Sequence, residues 1–189
     1  MDPEIRALTN QSRIVLPFRA ASSMYDHMAA WSFFPGGEHM ARWILDNPHI
    51  VHGRPVIDIG SGSGAVAIAA AISGASSVEA WDQDTRAISI IHENAALNNV
   101  RVTAVERTLH SLDQLAGFTG VVCAADIFYF EDSRNEELLL EASRDDMDML
   151  VASYDSELEG FRGIARNVSA LPCSSQPHVY VRMFHKPRV

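Results

Sequence analysis

The segment "PVIDIGSGSGAVAIAAAISGA" at residues 55–75 constrains the fold more than any other part of the chain. Its apolar run at 55–59 predicts a buried parallel strand, and the small residues at 64–73 predict a helix that ends before Gly74. Gly60, Gly62 and Gly64 lie between the two, and Gly64 is expected to let the helix begin close against its strand. A strand that enters a helix through such a turn presents backbone N–H groups and the positive helix end to a ligand. The segment therefore predicts a nucleotide-like ligand at the carboxyl end of a parallel strand.

The remainder of the chain alternates strand and helix, the pattern of a mainly parallel sheet covered by helices. Further strands are predicted at 77–82, 101–106, 120–126 and 148–153, and helices at 36–47, 86–97, 133–143 and 156–165. Residues 1–30 are predicted to be irregular, apart from a short strand at 13–18 and a helical turn at 22–30. The alternation at 178–185 predicts an antiparallel edge strand. A short strand is also expected near 167–172.

We expect residues 1–189 to form one α/β domain with a single doubly wound, mainly parallel, Rossmann-like sheet. In this interpretation residues 1–35 are an N-terminal extension that lines the active site. A chain of 189 residues is long enough for one core of ordinary size and short for two.

Charge and composition exclude several classes of partner. The net charge is −9, from 24 acids against 15 lysines and arginines, and no basic run is present. Nucleic acid is therefore not expected as a partner, because phosphate contacts need such residues. The longest apolar run is too short to cross a membrane, and the polar first 13 residues favour a cytoplasmic protein. The 8 histidines and 2 cysteines show no metal-ligand spacing, so no metal is expected.

Two ligand classes fit the glycines. Gly60, Gly62 and Ala65 match the dinucleotide fingerprint G-x-G-x-x-[G/A], and Asp82 follows about 20 residues later, where a ribose-binding acid belongs. Asp58 favours the other class, because a carboxylate beside the turn would repel a pyrophosphate by about 1 kcal/mol or more. It would attract a ligand that carries an ammonium and a sulfonium, such as S-adenosylmethionine (SAM). Asp84 is then predicted to cap the following helix.

The motif "DIGSGSG" resembles the D/E-x-G-x-G-x-G loop of the class I, seven-strand SAM-dependent methyltransferases. The resemblance implies SAM as cofactor, S-adenosylhomocysteine as product, and binding through the residues of the motif together with two acids that end the next strands. These cofactor-binding candidates are Asp58, Gly60, Gly62, Gly64, Asp82 at the ribose and Glu106 near the adenine amino group. Arg107, which follows Glu106, complicates the last assignment.

A second motif, "AADIFYFED", places Asp126 at the carboxyl end of the fourth predicted strand and Tyr129 three residues later. It lacks both prolines of the [D/N/S]-P-P-[Y/F/W] motif, which argues against a nucleobase acceptor. It resembles the D-x-F-Y stretch of protein lysine methyltransferases that act on electron-transfer flavoprotein β subunits. The run "WSFFPGGEHMARWILDNPHIVHGRPVIDIGSGSG" is similar to the same enzymes, with Glu38 at a glutamine position. "ASYDSELEG" replaces their G-D-P-G-R segment.

These resemblances predict an enzyme, a SAM-dependent N-methyltransferase whose acceptor is an accessible protein lysine. Asp126 and Tyr129 are the predicted catalytic residues. Three alternatives stay open: a methyltransferase of the same fold that acts on a small amine, a SAM-binding module without turnover, and an NAD(P)-dependent reductase.

Overall fold

The computed structural model describes residues 5–9, 15–19, 35–127, 147–154, 171–172 and 179–184. An N-terminal hairpin pairs β1 (Ile5–Thr9) with β2 (Val15–Arg19) in antiparallel register. The strand predicted at 13–18 is therefore present, whereas β1 lies in a stretch predicted to be irregular. The sequence of β1, IRALT, does not alternate strictly between apolar and polar residues, so its periodicity does not indicate a strand. The helices predicted at 22–30, 133–143 and 156–165 lie outside the described residues.

Within the described residues, the main sheet contains seven strands. In chain order they are β3 (Pro55–Ile59), β4 (Ser77–Asp82), β5 (Thr103–Glu106), β6 (Val121–Ala125), β7 (Asp148–Tyr154), β8 (Leu171–Pro172) and β9 (Val179–Phe184). Their spatial order is β5-β4-β3-β6-β7-β9-β8. The pairs from β5 to β7 are all parallel, which confirms the five predicted parallel strands.

The C-terminal strand corrects one prediction. β9 pairs antiparallel with β7, as predicted for residues 178–185, but the edge position belongs to β8. The short strand expected near 167–172 is present as β8, but a two-residue strand is too short for periodicity to show that it pairs outside β9.

Three of the described helices pack on one face of the sheet: α1 (Pro35–Asp46), α2 (Ala65–Ile72) and α3 (Thr85–Leu97). Their bounds agree with the predictions to within a residue or two. Helix α2 is mostly alanine and packs against α1, because small side chains let two helix backbones approach closely. The shared core on this face includes Met40, Ile44, Ile68 and Ile91.

The other face carries a second apolar core. It is formed by Ile57, Trp81, Val122 and Met149 of the strands, together with Leu115 of the 3₁₀-helix Leu112–Leu115. The sheet is thus buried on both faces, which explains why its strands are near-continuous apolar runs. In the part of the chain that the structure describes, no helix is both long enough and apolar enough to span a bilayer.

Candidate active site

The site forms where the chain changes direction in the sheet. From central β3 the chain continues outward through β4 and β5, then crosses to β6 and β7 on the other side. The loops that follow β3 and β6 therefore separate at the carboxyl edge, which is where open α/β sheets bind ligands. The two loops also touch. A Cβ atom built on Gly60 would lie 2.8 Å from Cγ2 of Ile127, so only glycine fits there.

The glycine loop is a preformed turn. Gly60, Gly62 and Gly64 have φ angles of 66°, 54° and 83°, in the left-handed region that glycine adopts without strain. Three of the loop's N–H groups are already bonded within the protein: Ser61 to the Trp81 carbonyl, Gly62 to the Asp82 carboxylate and Gly64 to the Ser61 carbonyl. The loop shape is thus fixed before any ligand arrives.

Gly64 has a different neighbour from the one expected. The sequence interpretation assigned it the role of bringing the helix against its own strand. In the structure, a Cβ atom on Gly64 would lie 3.3 Å from Cγ1 of Ile91, which belongs to α3. The glycine therefore makes room for a second helix, because α3 packs across the start of α2.

Asp58 lies beside the turn, as predicted, but its side chain is only 1% exposed. Its Oδ2 accepts hydrogen bonds from Ser61 Oγ at 2.5 Å and from the Ala67 N–H at 3.2 Å. Burial raises the pKa of Asp58 to about 7, against the lowering effect of these two hydrogen bonds. Asp58 therefore ties the loop to the first turn of α2, and a nearby positive ligand would favour its ionised form.

Asp82 ends β4 and connects two turns. Its Oδ2 accepts from the Gly62 N–H at 2.8 Å and its Oδ1 from the Asp84 N–H at 2.9 Å. Burial raises its pKa, and these backbone hydrogen bonds oppose that rise. Each carboxylate oxygen has two lone pairs, so both retain acceptor capacity for a hydroxyl group. Asp84 caps α3 by accepting from the Arg86 N–H at 2.9 Å, which confirms its predicted structural role.

Glu106 ends β5 directly beside Asp82, since the two residues are partners in the parallel register. Its side chain is exposed. Arg107 does not share this position: its guanidinium carbon lies 4.5 Å from the ring centroid of Trp81, which belongs to the core opposite the helices. The complication that Arg107 posed for Glu106 is thereby removed, because stacking directs the arginine to the other face.

Asp126 follows β6 and is largely buried. Its backbone has a φ of 52°, which is unusual for a residue other than glycine, and its N–H bonds to the Ala152 carbonyl at 2.9 Å. Its Oδ2 accepts from the Gly37 N–H at 2.9 Å, so the carboxylate caps the first turn of α1. Strained backbone is often found at functional sites. Tyr129, the second predicted catalytic residue, lies outside the described residues.

Four contributors to the site were not identified from the sequence. Asn94 of α3 is fully buried and donates from Nδ2 to the Ser63 carbonyl at 2.8 Å, which fixes the glycine loop from the side. The other three are Ser61, which donates to Asp58, Ile127, which packs against Gly60, and Gly36, which lies against the Asp126 carboxylate. The asparagines of "HENAALNN" carried a signal in principle, since a polar residue on the apolar side of a helix indicates a specific partner.

The charges around the crevice favour a cationic ligand over a pyrophosphate. Asp82, Glu106 and Asp126 lie at the carboxyl ends of their strands, and Asp58 is buried beneath the glycine loop. Two arginines close to them in sequence are engaged elsewhere, since Arg86 forms an ion pair with Asp84 at 2.7 Å and Arg107 stacks on Trp81. Neither arginine is therefore placed for the bidentate contact that this side chain often makes to a phosphate. Within the described ranges, no group of three or more His, Cys, Asp or Glu residues could hold a metal ion.

Comparison with known proteins identifies relatives of part of this chain. Residues 42–129 match the family described as ribosomal protein L11 methyltransferase (PrmA). The electron transfer flavoprotein beta subunit lysine methyltransferase of Rattus norvegicus is 41% identical over 100 residues, 53% of this chain and 39% of that protein. The ribosomal protein L11 methyltransferase of Caldicellulosiruptor saccharolyticus is 49% identical over 61 residues, 32% of this chain and 20% of that protein. The matches therefore span less than half the length of these relatives.

Solved structures share the architecture over more of the chain. The ribosomal protein L11 methylase of Lactobacillus delbrueckii subsp. bulgaricus has a TM-score of 0.58 at 22% identity and covers 78% of this chain and 77% of its own. A T. thermophilus 16S rRNA methyltransferase in complex with AdoMet and guanosine has a TM-score of 0.69 at 16% identity, covering 96% and 50%. These likenesses confirm the fold class predicted from the sequence.

Proposed function

We propose that this chain, which has the fold of the class I methyltransferases and resembles those named for electron transfer flavoprotein β subunits, is a SAM-dependent protein lysine N-methyltransferase. The observation that carries the proposal is that a preformed glycine loop lies beside the strand end that carries Asp126. The Gly60 turn contacts Ile127, and Ile127 directly follows Asp126. A cofactor on the loop and an acceptor beside Asp126 would therefore be close neighbours.

The acids at the carboxyl edge of the sheet fit SAM in charge. SAM supplies, when bound, an electrophilic methyl group on a positively charged sulfur. Asp82 would hold the ribose hydroxyls with its remaining lone pairs, and Glu106, its neighbour in the sheet, would hold the adenine amino group. Asp58 stays in the loop and stabilises positive charge there through its ionised form.

Methyl transfer depends on how the acceptor amine is oriented toward the methyl group. A neutral amine nitrogen forms a bond to the methyl carbon, the electron pair of the broken carbon–sulfur bond stays on sulfur, and the product ammonium releases one proton to water. Asp126 accepts a hydrogen bond from the amine and stabilises the positive charge that develops on nitrogen. Tyr129 is proposed to stabilise that charge through its aromatic ring. Holding the two reactants in line accounts for about 7 to 11 kcal/mol of the barrier in reactions of this kind.

Two protein acceptors compete, because the relatives are named for two. The flavoprotein β subunit is favoured by the longer match, 100 residues against 61. Ribosomal protein L11 is the second candidate, since the family match at residues 42–129 carries that name. Nucleic acid is not part of the proposal, because the net charge is −9.

The test uses purified chain, radiolabelled SAM, and either electron transfer flavoprotein β subunit or ribosomal protein L11 as acceptor. We expect label on a lysine of the β subunit, and Asp126→Asn should lower turnover about 100-fold while the SAM dissociation constant stays within about twofold. Label on L11 alone would show that L11, and not the flavoprotein β subunit, is the acceptor. Label only among small molecules of a host lysate would favour a metabolite methyltransferase.

Three further outcomes contradict the proposal in different ways. SAM binding without label in any fraction favours the binding module. Thermal stabilisation by NAD(H) but not by SAM or S-adenosylhomocysteine favours the reductase. Unchanged turnover in Asp126→Asn removes that residue from the mechanism, even if the protein acceptor is correct.

A further inference from the structure

The first turn of α1 receives the Asp126 carboxylate from a strand end far away in the sequence. The Gly37 N–H donates to Oδ2 at 2.9 Å, and the two residues are separated by 89 positions. A helix N-terminus has unpaired N–H groups and a partial positive charge, both of which favour a carboxylate at this place. The contact therefore orients the side chain as well as stabilising the helix.

Gly36 leaves the space that this carboxylate fills. A Cβ atom on Gly36 would lie 2.5 Å from Oδ1, 2.7 Å from Cγ and 2.7 Å from Oδ2 of Asp126. Gly36 is not among the glycines with positive φ, so its backbone conformation is open to any residue. Glycine is required here for space alone, in a helix turn where alanine would otherwise be more favourable.

The backbone of Asp126 has little freedom to retreat. Its N–H is bonded to Ala152 of β7, and the next residue, Ile127, fits against Gly60. The carboxylate is the movable part, at the end of a short side chain. A methyl group on Gly36 would therefore turn the carboxylate away and leave the strand end where it is.

We propose that Gly36 is a positioning residue for methyl transfer: its missing side chain lets the start of α1 set the orientation of the Asp126 carboxylate toward the acceptor amine. This inference rests on the proposed function, in which Asp126 contacts the acceptor. Gly36 itself contacts neither reactant. Its effect acts on turnover, since the cofactor loop is held by other residues.

The test compares Gly36→Ala with Gly37→Ala. Both substitutions add one methyl group in the same helix turn and keep both N–H groups. A Cβ atom on Gly37 meets only Cβ of Ala125, at an ordinary 4.0 Å. Gly36→Ala should lower kcat about 10-fold to 100-fold on the flavoprotein β subunit, with the SAM dissociation constant within about twofold, because misplacement of about 1 Å has effects of that size. The decrease in kcat caused by Gly37→Ala should be about tenfold smaller than that caused by Gly36→Ala.

Melting temperatures provide a second measurement that needs no turnover. Gly36→Ala should lower the melting temperature in the wild-type background and leave it unchanged or raise it in Asp126→Ala, where the atoms that the methyl group meets are missing and only the helical preference for alanine remains. Equal effects in the two backgrounds overturn the proposed contact. Wild-type kcat in Gly36→Ala, or parallel losses of kcat and SAM affinity, overturn the positioning role.

The failure of the proposed function has a different signature. If the wild-type chain methylates neither protein acceptor, the enzyme assignment fails, whatever the melting temperatures show. If the wild type is active and Gly36→Ala matches it, only the positioning role fails.

Discussion

Among single residues, Asp58 shows how burial changes the meaning of a motif. The sequence suggested that its charge acts on the ligand. In the structure the carboxylate is buried and accepts two hydrogen bonds on one oxygen, from Ser61 and Ala67. Its pKa is raised to about 7 because the charged form loses its hydration. Asp58 thus shapes the loop first and contributes charge second.

This burial predicts a pH-dependent stability that Asp58→Asn removes. The unfolded chain releases the Asp58 proton near the ordinary aspartate pKa of 3.8, whereas the folded protein holds it to about 7. The folded state binds more protons in that window, so the wild-type free energy of unfolding falls, from this group, as pH rises from about 4 to about 7. The asparagine oxygen can still accept both hydrogen bonds and has no such titration.

Chemical denaturation of both proteins at several pH values measures the effect. The free energy of unfolding of Asp58→Asn minus that of the wild type should increase with pH by up to roughly 4 kcal/mol. A difference that stays constant across the window would show that Asp58 has an ordinary pKa.

Among the helices and strands, α3 acts as the side support of the glycine loop. Ile91 packs against Gly64, and one turn later Asn94 donates to the Ser63 carbonyl. Asp84 fixes where the helix begins, close to Asp82. The helix and the loop thus form one unit, although about 30 residues separate their contacting groups.

Asn94→Ala should therefore loosen the loop. Removing the buried donor leaves the Ser63 carbonyl without this partner, which costs about 1 to 3 kcal/mol of stability, and the SAM dissociation constant should rise several-fold. Asn98→Ala is the matched control at the end of the same helix, because the Asn98 amide donates to the Asn94 carbonyl. Calorimetric titration with SAM and thermal unfolding measure both effects. Equal changes in the two variants would contradict a role for α3 in holding the loop.

Across the molecule as a whole, the two edges of the sheet have different tasks. The carboxyl edge carries the loops of the site. At the amino edge, Arg54 joins three strands by donating to Asp148 Oδ2 at 2.6 Å and to the Gly120 carbonyl at 3.1 Å. Asp148 begins β7 and Gly120 directly precedes β6, so one guanidinium holds β3, β6 and β7 in register.

Arg54→Ala is expected to lower stability without affecting the site. The free energy of unfolding should fall by about 1 to 2 kcal/mol, because Arg54 and Asp148 are partly exposed and nearby water weakens their charge-assisted hydrogen bond. The SAM dissociation constant should stay within about twofold, since Arg54 lies at the opposite edge. Arg101→Ala, an exposed arginine in the described region, should change stability by about 0.5 kcal/mol or less. A large loss of SAM affinity in Arg54→Ala would show that the two edges are coupled.

Local features of the fold could be predicted from the amino-acid sequence. Apolar runs bounded by glycine and acids predicted β3 and β4 to the residue, and the cap at Asp84 followed from its place before a helical pattern. The three left-handed glycines were foreseeable because few other residues tolerate that turn. These features depend on neighbours within a few positions, which periodicity records directly.

The partners that the chemical groups take became visible only in the folded molecule. Asp126 meets Gly37 across 89 positions, Gly64 faces α3, and Arg107 turns to the face opposite the helices. No local sequence pattern encodes such long-range contacts, because they form only when helices and strands pack in a specific order. For the same reason the sequence placed the acids at the correct edge of the sheet, whereas only packing fixed how each carboxylate is held.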